Sequence, residues 1–132
     1  MILEVAILHI KPEDIEKFEA AYPKVEPIFR SVKGYISHEM QRCVETKGRY
    51  HFLIRWESIE AHMVNFRQSD KVKQFRDLVG AYFAQPPVAE HFERLHGRPL
   101  ASIHVARPPW REWLRWATMG VRRHLGRLSA FC

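Results

Sequence analysis

Arg49-Tyr50-His51-Phe52-Leu53-Ile54-Arg55-Trp56-Glu57 is the stretch on which the fold turns. Side chains alternate between the two faces of a strand, so Tyr50, Phe52, Ile54 and Trp56 share one face and His51, Leu53, Arg55 and Glu57 the other. The first face belongs to a core. Just upstream, Glu45-Thr46-Lys47-Gly48 turns the chain back on Tyr35–Cys43, which reads as a strand of mixed polar and apolar positions following a Lys33-Gly34 stop. Further upstream, residues 2–10 put Ile2, Ala6, Leu8 and Ile10 on one face and Leu3, Val5 and Ile7 on the other, so both faces of this strand need cover.

Pro12 suits the first turn of a helix, and Glu13, Asp14 and Glu16 are favourable at its positive end. Ile15, Phe18, Tyr22, Val25 and Phe29 follow at spacings of 3, 4, 3 and 4, a single stripe facing a core. Pro23 and Pro27 each remove a backbone donor inside it, which predicts a kinked or broken second half. Downstream of the opening stretch, Ser58 is an N-cap for a helix through about Phe66. A second helical piece starts at Ser69 or Asp70, carries Val72, Phe75, Leu78, Val79, Tyr82 and Phe83, and ends before Pro86-Pro87. Val88 to Leu95 reads as a last short strand.

The order is β-α-β-β-α-β, the pattern of a ferredoxin-like α+β sandwich with both helices on one side of an antiparallel sheet. The other sheet face is left bare, and the large aliphatics on both faces of the first strand predict that a second copy of the chain covers it as a homodimer.

The chain has 132 residues, 46% hydrophobic and 27% charged, which fits one ordinary folded domain plus a short addition and excludes a large two-domain enzyme. Its formal charge of +6 suggests nucleic acid until its location is counted. Residues 1–95 hold 14 basic and 14 acidic side chains, while 96–132 hold 7 Arg, no Lys and Glu112 alone. The core domain therefore has no basic surplus for nucleic acid, and the whole excess lies in the extension. Cys43 and Cys132 form no Cys-x-x-Cys motif, and Glu4 interrupts the apolar start, so the sequence predicts neither a disulfide scaffold nor a signal peptide and fits a cytoplasmic protein.

The start MILEVAIL, the stretch GYISHEMQR, the segment RWESIEAHMVNFRQS and the ending PPVAEHFE together resemble the antibiotic biosynthesis monooxygenase family. The resemblance covers residues 1 to about 95 and implies a dimeric α+β barrel. It implies a cofactor-independent monooxygenase that oxidises a phenol- or quinol-type aromatic with molecular oxygen, without metal or organic cofactor. The alternative is a non-catalytic module binding a hydrophobic aromatic small molecule in the same pocket.

Such a reaction needs a dry aromatic pocket, a base and a donor for the developing anion. His38 and His62 are the candidate bases and Arg67 the candidate donor, with Trp56, Phe66, Tyr82 and Phe83 as walls. Trp56 also closes the core face of its strand, and the aromatic series at 66, 75, 82 and 83 has the spacing of ordinary core. Glu4 reads either as a rim carboxylate or as a buried acid placed to act on substrate. The histidines at 9, 38, 51, 62, 91, 96, 104 and 124 form no His-Glu-x-x-His or helical His pair, so no metal is expected. A haem-degrading branch of the superfamily uses an Asn on the first strand and a Trp and a His on the helices. The matching positions here are Ala6, Phe66 and Arg76, and an arginine cannot supply the axial imidazole nitrogen.

Residues 96–132 carry no part of the resemblance. Arg98-Pro99 and Arg107-Pro108-Pro109 read as linker. Trp113, Leu114, Ala117, Val121, Leu125 and Leu128 then make a basic amphipathic helix, broken at Gly120 and Gly126. It reads as a docking helix, as a membrane anchor, or as a dispensable segment with no evolved role, the last accounting most simply for the abrupt change of composition; membrane contact is open but not favoured.

Overall fold

A computed structural model describes residues 1–97. The linker and amphipathic helix read in the Arg- and Trp-rich extension lie outside the described residues. Four strands, β1 (Ile2–His9), β2 (Tyr35–Arg42), β3 (Arg49–Trp56) and β4 (Val88–Phe92), form one antiparallel sheet in the order β2-β3-β1-β4. The helical segments lie between β1 and β2 and between β3 and β4, which is the ferredoxin-like arrangement. Among the described residues no helix is long and apolar enough to cross a membrane.

The alternation in β3 is realised fully: Tyr50, Phe52, Ile54 and Trp56 are all buried beneath the helices. On β1 the same side carries Glu4, Ala6 and Leu8, also buried, while Leu3, Val5, Ile7 and Leu53 lie half-exposed on the bare face, with Val88 and Phe92 more exposed. Each of the large side chains on the covered face contributes about 1.5–3 kcal/mol by leaving water.

The first helical stretch breaks where its prolines dictate. A 3-10 turn, Pro12–Asp14, leads into α1 (Ile15–Ala21); a second, Tyr22–Val25, intervenes before α2 (Glu26–Arg30), and both turns and α2 carry a proline in their first positions. The missing donors end regular hydrogen bonding, but the apolar stripe survives, with Phe18, Val25 and Phe29 fully buried.

Between β3 and β4 the chain departs from the expected pair of ordinary helices. Ser58 Oγ does accept a hydrogen bond, from the Ala61 N–H at 3.2 Å. The chain then winds into a π-helical turn, Ala61–Phe66, closed by the Arg67 N–H donating to the His62 carbonyl five residues back. Helix α3 (Lys71–Val79) stops short of Phe83, because Gly80–Tyr82 tightens into a 3-10 turn and Phe83 is extended, bridging to Ile10. Strand β4 ends at Phe92 rather than Leu95.

One glycine fixes how closely the π-helical turn meets the sheet. Gly34 has φ +91°, and a Cβ there would lie 2.5 Å from the Ala61 Cβ, while its carbonyl accepts from the Glu57 N–H at 2.8 Å. Gly34→Ala combines left-handed strain with a clash against Ala61, so a loss of about 2 kcal/mol or more is expected, measured by urea unfolding of the full chain.

Candidate active site

The covered sheet face and the helices line a cavity of about 460 Å³ that opens to the surface. Its apolar wall comes from Phe29 on α2, Phe52 and Ile54 on β3, Phe66 on the π-helical turn, Phe75 on α3 and the extended Phe83. Four polar side chains interrupt that wall: Glu4, His62, Arg67 and Arg76.

Glu4 is placed by the β1 ladder. It lies opposite Ile54 of β3 and opposite His91 of β4, and its side chain points to the covered side, diagonal to Trp56. The Trp56 indole N–H donates to Glu4 Oε2 at 2.8 Å, and His62 Nε2 lies 3.4 Å from Oε1. With 5% of its surface exposed, Glu4 is the buried acid rather than the rim carboxylate. Burial pushes its carboxyl up to about 7, against the Trp56 hydrogen bond and the positive charge of Arg67.

The π-helical turn sets the His62 ring against two near-parallel neighbours that also touch each other, Trp56 at 5.5 Å and Phe66 at 6.0 Å between centroids. Its Nδ1 is 2.8 Å from His91 Nε2. Burial drives the His62 imidazole down to about 4, with His91 and Arg67 adding to the effect. Glu4 and His62 therefore meet as two neutral groups below neutrality rather than as an ion pair.

Of the residues expected to form the site, Glu4, His62, Phe66, Arg67 and Phe83 line this cavity. Trp56 stands behind it, fully buried, and acts through Glu4. Tyr82 does not line it: the 3-10 turn packs its half-buried ring against the core and leaves its carbonyl to the Lys11 N–H. His38 does not line it either. A β-bulge between Tyr35 and Ser37 turns both Tyr35 and His38 to the covered side, where the Tyr35 hydroxyl meets His38 Nδ1 at 2.6 Å. That ring packs on Phe29 and Phe52 and faces a separate cleft with Tyr22, Glu39 and Tyr50. Sequence reasoning passed over His91 and gave Arg76 no place in the pocket. The alternation of β4, with Ala89 and His91 on one side and Val88, Glu90 and Phe92 on the other, is the signal that marks His91.

The profile of the antibiotic biosynthesis monooxygenase family matches residues 1–78. The chain belongs to this family. It is 36% identical over 93 residues to the uncharacterised protein YczJ of Bacillus subtilis (strain 168), an overlap of 70% of this chain and 98% of that protein. The crystal structure of a Bordetella bronchiseptica protein assigned to the same family superposes with a TM-score of 0.70 at 34% identity, covering 72% of this chain and 97% of that one. SnoaB, a cofactor-independent oxygenase from Streptomyces nogalater, shares the fold at 16% identity and a TM-score of 0.60, with 74% and 96% covered.

The opposed shifts of Glu4 and His62 predict an unusual pH profile of stability. Between its ordinary 4.5 and about 7, Glu4 holds a proton in the folded state that the unfolded chain releases, so its contribution is lost as pH rises. Between about 4 and its ordinary 6.5, His62 stays neutral where the unfolded chain takes up a proton, so its contribution is lost as pH falls. The two slopes, each up to about 1.4 kcal/mol per pH unit, cancel where the windows overlap. In thermal melts compared with the parent, Glu4→Gln should therefore lose stability toward acid, and His62→Gln should lose it as the pH rises toward neutrality.

Proposed function

We propose that the protein is a cofactor-independent monooxygenase of hydroxylated aromatics, with Glu4 as the base. One observation carries this reading: a buried carboxyl that ionises near neutrality opens onto a cavity walled by phenylalanines. A planar aromatic fits such walls, and Glu4 in its ionised form accepts the proton of a phenolic or enolic hydroxyl. The resulting anion is electron-rich enough to reduce oxygen directly. For an anthrone, the methylene becomes a carbonyl and the second oxygen atom leaves as water. Arg67 and Arg76 stand at the cavity as donors to the anion as charge develops. His62, with one nitrogen toward Glu4 and the other toward His91, orients the base instead of meeting the substrate itself. The similarity in fold to SnoaB supports the reaction class.

The bare sheet face carries Leu3, Val5, Ile7, Leu53, Val88 and Phe92, an apolar surface suited to a second copy of the chain. A homodimer is part of this proposal, as is a cytoplasmic setting in which Cys43 remains a free thiol. So is a division at residue 95, with the extension from residue 96 dispensable for the reaction.

Oxygen uptake with dihydroxyanthrone and a panel of quinols in chelator-treated buffer tests the activity. Turnover should rise with pH through about 7 as Glu4 ionises, fall about a hundredfold or more in Glu4→Gln, and persist in His38→Gln. Ligands that raise the melting temperature with no oxygen consumed would instead make the protein a binding module. Sedimentation of the full chain should give a dimer, and Val5→Glu on the bare face should give a monomer that retains the near-ultraviolet signature of a packed core.

A further inference from the structure

A base that collects a proton at every turnover must also lose one, and Glu4 is buried, with the mouth of the cavity blocked whenever a substrate fills it. Its surroundings hold a continuous line of exchangeable positions. Trp56 Nε1–H donates to Glu4 Oε2, Glu4 Oε1 faces His62 Nε2 at 3.4 Å, and His62 Nδ1 faces His91 Nε2 at 2.8 Å. His91 is half-buried on β4, a strand otherwise exposed along its length, so its ring leads from the cluster to the surface. We propose that Glu4, His62 and His91 form a proton relay that carries the substrate proton out of the occupied cavity to water. The proposal rests on the assignment of Glu4 as base and adds His91 to the machinery as a proton carrier.

The proton count closes over one cycle. With Glu4 protonated, its hydroxyl donates to His62 Nε2, the His62 Nδ1–H donates to His91 Nε2, and the proton of His91 sits on Nδ1. One proton then moves along each link: from Glu4 to His62 Nε2, from His62 Nδ1 to His91 Nε2, and from His91 Nδ1 to water. Glu4 is left ionised and both imidazoles carry their proton on Nε2. Each ring has exchanged one tautomer for the other, and neither needs to persist as a cation. That matters because burial opposes a charged His62. With the cavity empty, water there takes the proton from His62 Nε2 while a proton entering from solvent at His91 Nδ1 passes from His91 Nε2 to His62 Nδ1, which restores both starting tautomers before the next substrate proton reaches Glu4.

The geometry suits this role in two further respects. The stacked positions of Trp56 and Phe66 hold the His62 ring in the plane that points its two nitrogens at its two neighbours. Glu4 and His91 are directly paired residues of β1 and β4, so their backbones fix the distance that the His62 ring has to span. The other charged groups at the cluster are Arg67, which comes directly after the π-helical turn, and Arg76 on α3, while β3 contributes the Trp56 N–H. Arg67 opposes a net positive charge on the relay and favours transfer through neutral rings.

Nitrogen-15 NMR of the imidazoles in the full-length protein, across the titration of Glu4, reads the relay without any substrate. Ionisation of Glu4 should move the proton from Nδ1 to Nε2 on His62 and His91 together, and Glu4→Gln should hold both rings in one tautomer over the same range. Rings that keep their tautomers while Glu4 ionises, or that respond independently, would overturn the relay. In turnover of dihydroxyanthrone, His91→Gln keeps an amide beside His62 but cannot pass a proton on. Its kcat should fall by roughly ten- to a hundredfold with KM unchanged, and added imidazole should restore much of it. A variant with unaltered kcat, or a loss that imidazole leaves untouched, counts against His91 as carrier. Absence of oxygen uptake by the parent protein overturns the oxygenase reading alone, since the tautomer measurement still decides the relay.

Discussion

The hydrogen bond from the Trp56 indole to Glu4 is the constraint around which the rest of the molecule is arranged. A carboxyl set in the middle of an apolar sheet face costs several kcal/mol if it is left without partners. Trp56 supplies one partner from the neighbouring strand and His62 a second from the turn above. Burial nevertheless outweighs the Trp56 hydrogen bond, and so the carboxyl keeps a proton that it can exchange near neutrality. Replacing Glu4 by a hydrophobic residue would remove the proposed base and leave the buried Trp56 N–H without its acceptor.

The same carboxyl explains the aromatic character of its surroundings. Phe29, Phe52, Phe66 and Phe75 pack on one another with centroids 4.8–6.4 Å apart, forming an apolar wall beside the acid. In a wetter pocket, Glu4 would be solvated and ionised at its ordinary pKa. Prolines 23 and 27 contribute indirectly: by breaking the first helix into short segments, they let Phe18, Val25 and Phe29 follow the curvature of the twisted sheet.

Much of the fold was legible because it is written in local patterns. The alternation from Tyr50 to Trp56, the stripe from Ile15 to Phe29 and the prolines within it each specify an element from a few adjacent residues, and the structure obeys them. The site was legible in part. Glu4 stood out as a charge among aliphatics, and His62 as an imidazole on a helical segment. For His91, alternation along the last strand gives only the face; its meeting with Glu4 depends on the register between the first and last strands of the domain, which no local spacing encodes. His38 was set beside His62 for the opposite reason: alternation places it on the covered face, but the bulge and Tyr35 direct it to a different cleft. Tyr82 and Phe83 read as one helical face until Gly80 tightened the backbone and separated them.

The wide turn at Ala61–Phe66 bears on how such a site could arise. A π-helical turn holds one residue more than an α-helical turn closing the same gap, and it is commonly found at functional sites. Here the turn carries His62 and Phe66 to the cavity, one beside Glu4 and the other in the aromatic wall. A single inserted codon in an ordinary helix is enough to produce that arrangement, with the sheet beneath it unchanged. Loss of one codon would give back a regular helix and turn the imidazole away from the carboxyl. The sheet and the turn that carries His62 are thus separable, and the residues proposed to do the chemistry can change by one residue of chain length without a change of fold.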